Sequence, residues 1–238
     1  MKIGIISDIH NNLEALKVVL NKFNEFKCEM VICAGDIIGL GPNPEEVVEL
    51  IINQPNFYSV KGNHDRYLQV MPDIYPNDEK MDYEEMEHHK WEHKVLSSKS
   101  KNYINSLPYI KELVVNNKKI TVLHYTMNEE YKCINYIQNP TNIELENMFS
   151  NLNSDIIIYG HNHNRSIIEY KGKFYINPGS LGCPSKDKDV ARAVILVVED
   201  NVEYEILEIK YDVNKVLKQI NDLDYPSKEE IKKYFYGL

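Results

Sequence analysis

The sequence contains no apolar run that approaches the about 20 residues needed to span a lipid bilayer. The first residues, Met1–Asp8, lack the apolar stretch and small-residue cleavage site of a secretory signal peptide. They are typical of a short buried strand instead. These absences argue against a membrane partner, and we expect a soluble cytoplasmic protein.

Cysteine is scarce, and none of the four cysteines lies in a CxxC pair. Cys28 and Cys33 lie in or beside an apolar run, so we expect them to be small core residues in a reducing compartment. A chain of 238 residues with 43% hydrophobic residues can bury a core that needs neither a disulfide nor a structural metal.

Positive charge is also in short supply. The 27 lysines and arginines are outnumbered by 36 acidic residues, which gives a formal net charge of −9. Because phosphate contacts dominate the affinity for nucleic acids, this balance argues against a nucleic-acid partner. It does not exclude a small phosphorylated substrate, such as a nucleotide, that is held by metal ions.

Repeats, low-complexity segments and flexible linkers are absent, which favours one domain over residues 1–238. In the first quarter of the chain, runs rich in Val and Ile alternate with helical patterns and predict strands at residues 2–7, 30–34 and 57–60. Asn11 or Asn12 can cap the first helix, and Pro44 can open the second. This order predicts an α/β fold with a parallel sheet.

Residues 66–108 show no strong strand pattern. They predict two helical segments, at residues 83–96 and 99–107, that end before Pro108. We therefore expect a helical insert or cap within the domain, and we hypothesise that it selects the leaving group of a substrate.

The rest of the chain returns to strand patterns, at residues 113–115, 120–123, 156–159, 167–170, 174–176, 191–198 and 202–209. Hairpin turns are predicted at Asn116-Asn117, Lys171-Gly172 and Asp200-Asn201. A helix at residues 213–223 and another one capped by Ser227 complete the predicted elements.

Five of the predicted strands end in residue types that bind metals. These residues are Asp8 and His10, then Asp36, then Asn63 and His64, then His124, and finally His161 and His163. In an open α/β sheet, ligands bind beyond the carboxyl ends of the strands, so we expect these side chains along one edge. Glycines precede Asp36, Asn63 and His161, and we expect them to allow the backbone turn that aims each side chain.

This set of donors exceeds the needs of one metal ion. Imidazole suits Mn, Fe, Co, Ni or Zn, and a carboxylate can bridge two ions. Two ions about 3.5–4 Å apart would clamp the attacking and leaving oxygens of a displacement at phosphorus, and would bring the pKa of a bridging water near neutrality. The predicted chemistry is therefore phosphate hydrolysis by a metal-bound hydroxide.

The same motifs resemble a known signature. In chain order, Asp8-Ile9-His10, Gly35-Asp36, Gly62-Asn63-His64-Asp65, His124 and Gly160-His161-Asn162-His163 resemble the motifs of the calcineurin-like metallophosphoesterase superfamily, over nearly the whole chain. The loops at residues 36–44 and 177–184 are similar to those of small YfcE-like bacterial and archaeal phosphoesterases. Trp91 followed by Leu107-Pro108 resembles members with a helical insert, some of which hydrolyse diadenosine tetraphosphate.

The resemblance implies a four-layer α/β/β/α sandwich of two mixed sheets flanked by helices, with a small helical insert. It implies a first metal held by Asp8, His10 and His163, a second held by Asn63, His124 and His161, and a bridging Asp36. His64 is expected near the scissile phosphate as general acid or charge stabiliser, with Asp65 orienting it. Asn11 and Asn12 are candidate phosphate contacts, with helix capping as the alternative.

One position departs from the family pattern, because Tyr125 stands where the family usually has glycine. We expect its ring beside the substrate. In the insert, His89 and His93 lie four residues apart on one helix face, and we expect the cluster of His88, His89 and His93 to be solvated, with a metal or substrate contact as the alternative. Tyr67, Tyr75 and Tyr83 are candidates for stacking on a base, or for packing of the insert helices.

Three functions follow from these observations. The first is a metal-dependent phosphoesterase that cleaves a phosphomonoester, a phosphodiester or a phosphoanhydride, with a dinucleoside polyphosphate as one candidate substrate. The second is a catalytically silent interaction scaffold of the same fold, which should show gaps in the ligand set; none is visible. The third, a nuclease, is disfavoured by the acidic balance.

Overall fold

The structure of the protein is a computed structural model, and it describes residues 1–70, 83–183 and 187–238. Within these ranges no helix is long and apolar enough to cross a membrane. The described strands are β1 Lys2–Ile6, β2 Met30–Cys33, β3 Phe57–Ser59, β4 Ile110–Val115, β5 Lys118–Leu123, β6 Ile156–Ile158, β7 Ser166–Tyr170, β8 Lys173–Asn177, β9 Val190–Val198 and β10 Val202–Lys210. The described helices are α1 Leu13–Glu25, α2 Pro44–Asn53, α3 Asn63–Val70, α4 Tyr83–Val95, α5 Ser98–Ser106, α6 Asn142–Met148, α7 Val213–Asp222 and α8 Lys228–Tyr236.

The strands form two five-stranded sheets. The first sheet has the order β10-β9-β1-β2-β3, and the second has the order β4-β5-β6-β8-β7. Strands β1, β2 and β3 run parallel, as the alternating pattern of the first quarter predicts. In the second sheet β5, β6 and β8 are parallel, while β4 and β7 pair antiparallel at its edges. Both sheets are therefore mixed.

The period-2 alternation of the strands separates the layers. Ile3 and Ile5 of β1 face the second sheet and pack with Ile156 and Ile158 of β6, whereas Ile6 packs on the helical side. The outer face of the second sheet forms a further cluster, which includes aromatic residues and is covered by α6. The predicted four-layer arrangement of helix, sheet, sheet and helix is thus confirmed.

Most local signals act as predicted. Asn12 caps α1, because its side-chain oxygen accepts the N–H of Ala15. Pro44 is the first residue of α2. Ser227 differs, since its hydroxyl donates to the carbonyl of Glu84 and makes no cap in α8. The backbone of Ser227 is left-handed, with φ at 61°, and not in the extended conformation from which an N-cap hydroxyl usually accepts a helix N–H.

The turn signals between strands also hold. Asn116 and Asn117 join β4 to β5 with positive φ values of 46° and 63°, and Lys171 and Gly172 join β7 to β8 with 52° and 76°. These conformations match the turns that suit the right-handed twist of a hairpin. They set the register in which β5 and β8 present their carboxyl ends.

The helices of the segment between β3 and β4 pack into the main core. Helices α4 and α5 lie against α2, and α3 lies against both of them. Leu96 and Ile104 are fully enclosed in the same hydrophobic cluster as the helical side of the first sheet. This packing fixes one face of α4 close to the carboxyl ends of β1 and β2.

A candidate metal centre at the carboxyl ends of two sheets

The structure brings all seven predicted metal ligands together. Asp8 and His10 follow β1, Asp36 follows β2, and Asn63 begins α3 after β3. His124 follows β5 of the second sheet, and His161 and His163 follow β6. The two sheets therefore contribute to one centre, at the edge where their parallel strands end.

The first group of donors consists of Asp8, His10 and His163. The Nε2 atoms of His10 and His163 lie 3.1 Å apart, and His163 Nε2 lies 3.5 Å from Asp8 Oδ1. One donor atom from each residue fits within 4.8 Å of the others. This is the set that the resemblance assigns to the first metal.

The second group consists of Asp36, His124 and His161, with Asn63 among them. Asn63 Oδ1 lies 3.1 Å from His124 Nε2 and 2.9 Å from His161 Nδ1. Asp36 Oδ2 lies 3.1 Å from His124 Nε2 and 4.0 Å from His10 Nε2. Asp36 thus reaches both groups, as a bridging carboxylate must.

The donor set fits a pair of divalent cations. His124 donates its Nδ1–H to the carbonyl of Ala34 over 2.7 Å, so a neutral His124 turns the lone pair of Nε2 toward Asp36 and Asn63. Lone pairs of nitrogen and oxygen then face one another in a buried space, and a cation removes that repulsion. The set of imidazole, carboxylate and amide donors suits Mn, Fe, Co, Ni or Zn.

The charges of the centre are strongly coupled. Burial alone would raise the pKa of the Asp36 carboxyl, but the neighbouring His124 and His64 hold it well below its usual value. Burial opposes the protonation of His124, yet Asp36 and Asp8 raise the pKa of its imidazole to about 9. Burial lowers the pKa of His10 and of His161 to about 4. The centre therefore holds ionised carboxylates at neutral pH.

Most of the ligands sit in a backbone conformation that side chains usually avoid. Five of them have φ in the left-handed region: Asp8 at 52°, His10 at 48°, Asp36 at 51°, His161 at 72° and His163 at 57°. Such strain clusters at functional sites, where the surrounding structure over-determines it. No periodicity or turn signal in the sequence could have indicated this.

We expected the glycines before the ligands to allow a turn of the backbone, but two of the three serve a different purpose. Only Gly35 has a positive φ, of 97°. At Gly62 a Cβ would lie 2.1 Å from Asp36 Oδ1, and at Gly160 it would lie 2.0 Å from Ser7 Oγ. These two positions need glycine because other chain segments approach them closely.

His64 lies beside the metal ligands, but the predicted role of Asp65 as its orienting partner does not match the contacts. One oxygen of Asp65 accepts the N–H groups of Ile37 and Ile38, and the other accepts that of Gly62. The carboxylate therefore ties the Asp36 loop to α3. His64 Nδ1 instead faces His89 Nε2 at 3.2 Å.

The expectation of a solvated histidine cluster on α4 is wrong for two of its three members. His88 and His89 are buried, and so is Glu92, while His93 is half-buried. His88 Nε2 accepts the N–H of Leu40, and burial lowers its pKa to about 3, so it is neutral. The helix turns this face toward the centre because α2 and α3 enclose α4.

Glu92 was not singled out from the sequence. Its Oε1 accepts the Nδ2 group of Asn11 at 2.6 Å and the N–H of Gly39 at 2.7 Å, and its Oε2 lies 3.3 Å from His89 Nδ1. The spacing of Glu92 three and four residues after His89 and His88 was a usable signal, since residues so spaced meet on a helix.

The two asparagines proposed as phosphate contacts are occupied elsewhere. Both hydrogens of the Asn11 amide are used, by Glu92 and by the carbonyl of Gly41. Asn12 caps α1 and donates to the carbonyl of Gly182. Both side chains are buried, and they fix the loop after β1 rather than a substrate.

Tyr125 is also buried, so its ring does not face a substrate as expected. The ring lies 4.9 Å from that of His161, and its hydroxyl accepts the N–H of Ile137 at 2.8 Å. The residue supports the candidate ligand His161 from behind and anchors the loop that follows β5. Tyr136 of that loop is 56% exposed and lies 5.5 Å from His161 on the open side.

A cleft of about 890 Å³ opens beside the second group of donors. Its lining comprises Asn63, Tyr67, Asn128, Glu129, Glu130, Lys132, Cys133, Ile134, Asn135, Tyr136 and His161. The loop after β5 supplies most of this wall. Two predicted ligands thus form the floor of a cavity large enough for a small organic molecule.

Of the three tyrosines proposed for stacking, Tyr67 lies at this cleft and packs its ring 5.4 Å from that of His64. Tyr83 is largely exposed on α4. Tyr75 and Pro184, the last residue of the second loop motif, lie outside the described residues.

Comparisons with known proteins agree on the family. Residues 1–201 match the sequence model of the calcineurin-like phosphoesterase superfamily domain. An uncharacterized protein of Methanocaldococcus jannaschii is 31% identical over 244 residues, which cover 92% of this chain and 91% of that protein.

Solved structures agree on the fold. A hypothetical protein of Pyrococcus horikoshii aligns with a TM-score of 0.85 at 18% identity, over 98% of this chain and 97% of that one. A metallophosphoesterase of Sphaerobacter thermophilus aligns with a TM-score of 0.71 at 23% identity, over 99% and 98%.

Proposed function

This chain belongs to the calcineurin-like phosphoesterase superfamily, and we propose that it hydrolyses a phosphoric ester or anhydride with the help of two divalent metal ions. The observation that carries this proposal is the pair of adjacent donor groups, with Asp36 within 4.0 Å of a nitrogen from each. A scaffold that had lost activity would be expected to lack some of these donors.

Each of the two ions would have ligands from both sheets. Asp8, His10 and His163 would hold one ion, Asn63, His124 and His161 the other, and Asp36 would touch both. Bound in this way, the ions would supply Lewis-acid stabilisation of the phosphoryl oxygens and an acidified water. His64 would donate a hydrogen bond to the oxygen that departs from phosphorus.

The cleft supports a substrate of nucleotide size with few phosphates. Its volume of about 890 Å³ suits one small organic group, and the exposed ring of Tyr136 offers a surface for stacking. Two acids line the wall, and its lysine, Lys132, pairs with one of them, Glu130, at 2.9 Å. This charge disfavours a long polyphosphate, so a phosphodiester or monoester of a nucleotide is favoured over a dinucleoside polyphosphate.

The proposal is tested by hydrolysis of bis-p-nitrophenyl phosphate with Mn²⁺, Co²⁺, Ni²⁺, Zn²⁺ or Fe²⁺, followed by a screen of nucleotides, phosphodiesters and dinucleoside polyphosphates. We expect metal-dependent turnover. On diphenyl phosphate, whose leaving group needs a proton, His64→Ala should lower kcat by about 10²–10⁴-fold, the usual contribution of acid–base catalysis, with its metal content unchanged. His93→Ala, on the half-exposed side of α4, is the matched control and should retain activity.

A wild-type protein that binds divalent ions but cleaves none of these compounds would refute the proposed activity. Full activity of His64→Ala would refute only the role of that residue.

A further inference from the structure

A second cavity reaches the candidate centre from the side of helix α8. It lies between α4 and α8 and has a volume of about 300 Å³, and we call it the α4–α8 pocket. Leu40 and three residues of α8, Ile231, Tyr234 and Phe235, form its apolar wall. Its volume is near the lower end of the range for small-molecule sites, so it suits a small organic group.

The pocket exists because α8 docks firmly on the rest of the chain. The hydroxyl of Ser227 donates to the carbonyl of Glu84 at 3.0 Å, which joins the start of α8 to α4. Ile231 and Tyr236 are buried in the main hydrophobic cluster and hold one face of the helix. Tyr234 lies on another face and is 71% exposed, so its ring is available to a ligand.

His64 connects this pocket, and not the larger cleft, to the candidate metal centre. Among the described residues, His64 lines the α4–α8 pocket, whereas Asn63 and His161 line the cleft of about 890 Å³. The ring of His64 lies 5.0 Å from that of His10, and the ring of Phe235 lies 6.3 Å from the same His10 ring. The pocket therefore approaches the first group of donors, and the cleft approaches the second.

The charges around the pocket limit what it can hold. Glu84, Glu85 and Glu230 contribute carboxylates to its lining, and no lysine or arginine is among the described residues that line it. His88 also lines the pocket and is neutral, since burial lowers its pKa to about 3. Because like charges repel one another, an anionic group is disfavoured. The pocket is therefore suited to an apolar group that carries no negative charge.

We propose that the α4–α8 pocket binds the leaving group of a phosphodiester, an apolar alcohol or phenol without negative charge, while the larger cleft holds the group that stays on phosphorus. This inference rests on the proposed function, in which the departing oxygen lies beside His64. Because His64 lines the pocket and not the cleft, an organic group attached to that oxygen extends into the pocket. The assignment depends on where the His64 ring lies, and not on its charge or on which of its nitrogens carries a proton.

The assignment decides which bond of an asymmetric diester is cleaved. The oxygen of water bonds to phosphorus, and the bond between phosphorus and the oxygen of the group in the pocket breaks. That oxygen keeps the bonding electrons and leaves as the alcohol or phenol with one hydrogen of the water, while the other hydrogen goes to the phosphate monoester. With a nucleotide in the cleft, the products are a nucleoside monophosphate and a small alcohol.

The kinetic test compares two diesters that share one leaving group. They are the 4-nitrophenyl esters of methyl phosphate and of thymidine 5′-phosphate, and 4-nitrophenol departs from both. We expect Tyr234→Ala, which removes part of the pocket wall, to lower kcat/KM about tenfold for both diesters, because one aromatic contact is lost. Tyr136→Ala, in the cleft, should lower kcat/KM about tenfold for the thymidine diester alone.

Tyr204→Ala is the matched control. Tyr204 is 45% exposed on β10 and lines neither cavity, so its replacement should change kcat/KM for neither diester.

The charge of the leaving group gives a second comparison. In a methyl diester of 4-hydroxy-3-nitrobenzoate the departing phenol carries a carboxylate, and we expect its kcat/KM to be about tenfold below that of the 4-nitrophenyl methyl diester. Glu230→Lys should narrow this difference, because it places a positive charge in the lining. Equal values for the two leaving groups in the wild type would contradict the preference for a group without negative charge.

A binding measurement does not require turnover. Phenol, a simple leaving group, is titrated into ¹⁵N-labelled protein loaded with Zn²⁺, and the backbone amide signals are followed. We expect saturable shifts at Leu40, Ile231 and Phe235, and none at Asn135 or Tyr136 of the cleft. Tyr234→Ala should weaken this binding.

Two results would overturn the inference. One is phenol shifts confined to the cleft. The other is a Tyr234→Ala protein that loses activity on the thymidine diester alone, or on neither diester, since the pocket would then hold the retained group or no part of the substrate. If the wild type cleaves neither diester, the proposed function fails, and the phenol titration alone decides whether the pocket is a binding site.

Discussion

At the scale of single residues, the centre is built from side chains whose backbone is strained. A left-handed φ costs a residue other than glycine about 1–2 kcal/mol, and Asp8, His10, Asp36, His161 and His163 all adopt it. The strain persists because buried hydrogen bonds hold each loop, such as the N–H of His161 donating to the carboxylate of Asp8 at 3.2 Å. The free energy of metal binding would offset part of this backbone strain.

Asp36→Asn keeps the size and shape of the side chain that reaches both donor groups but removes its negative charge. The asparagine can still accept the N–H of His64, which Asp36 Oδ1 accepts at 2.9 Å, but it removes the charge shared by both groups. We expect metal affinity to fall by about 100-fold or more, which is at least the effect of losing an outer-shell partner. Metal titration would show it, with Asp200→Asn in the exposed β9–β10 turn as the control.

Metal binding should also be linked to pH through His124. Its pKa in the metal-free protein is about 9, so below that pH an ion must displace a proton from it. Apparent affinity should therefore rise with pH from 6 to 9 and level off above. Calorimetry at pH 7 in buffers of different ionisation enthalpy should detect the released proton, whereas an affinity independent of pH would contradict the assignment.

At the scale of secondary-structure elements, the loops of the centre are tied to helices by buried polar groups. Asn12 holds the start of α1, and Asp65 at the start of α3 binds three backbone N–H groups of the neighbouring loops. Burial, together with the charge of Asp36, raises the pKa of Asp65 to about 7, so a cation near Asp36 would help to keep it ionised. The protonation of Asp65, which holds the loops, therefore depends on the charge of the candidate ligand Asp36.

Replacement of the α1 cap tests whether Asn12 serves the fold or the substrate. Asn12→Ala should lower the free energy of unfolding by about 1 kcal/mol, as for other capping residues. It should leave KM within about twofold of wild type. Chemical denaturation and steady-state kinetics would measure these values, with exposed Asn53→Ala as control. A large rise in KM without a loss of stability would restore the phosphate-contact hypothesis.

At the scale of the whole molecule, the candidate ligands connect two sheets that otherwise meet through apolar packing. Asp8, Asp36 and Asn63 come from the first sheet, while His124 and His161 come from the second. An ion bound among them would link distant parts of the chain in the native state only. Binding energy would therefore appear as stability of the entire fold.

Thermal unfolding should show this linkage. At a free metal concentration of 100 times Kd, one site adds about 2.7 kcal/mol of stability. For a chain of this length that corresponds to a rise in Tm of roughly 5–10 °C. A wild-type Tm unaffected by Mn²⁺ or Zn²⁺ would contradict a resident metal site, and Asp36→Asn should show a much smaller rise than wild type.

The sequence carried most of the fold, because its signals are local. Hydrophobic periodicity placed β1, β2 and β3 to within a residue or two at their ends, and turn pairs such as Asn116-Asn117 marked the hairpins. The candidate ligands were also recognisable, since each follows a strand and has a metal-binding side chain. Local pattern and side-chain chemistry were enough to name them.

The sequence by itself thus determined which elements form and which side chains gather where the parallel strands end. Only the tertiary structure decided what the remaining polar residues do. Whether Asn11 faces a phosphate or Glu92, and whether His89 faces water or His64, depends on how α4 packs against segments 81 and 25 residues away along the chain. Burial and partners are properties of that packing, and a polar side chain shows neither until the chain has folded around it.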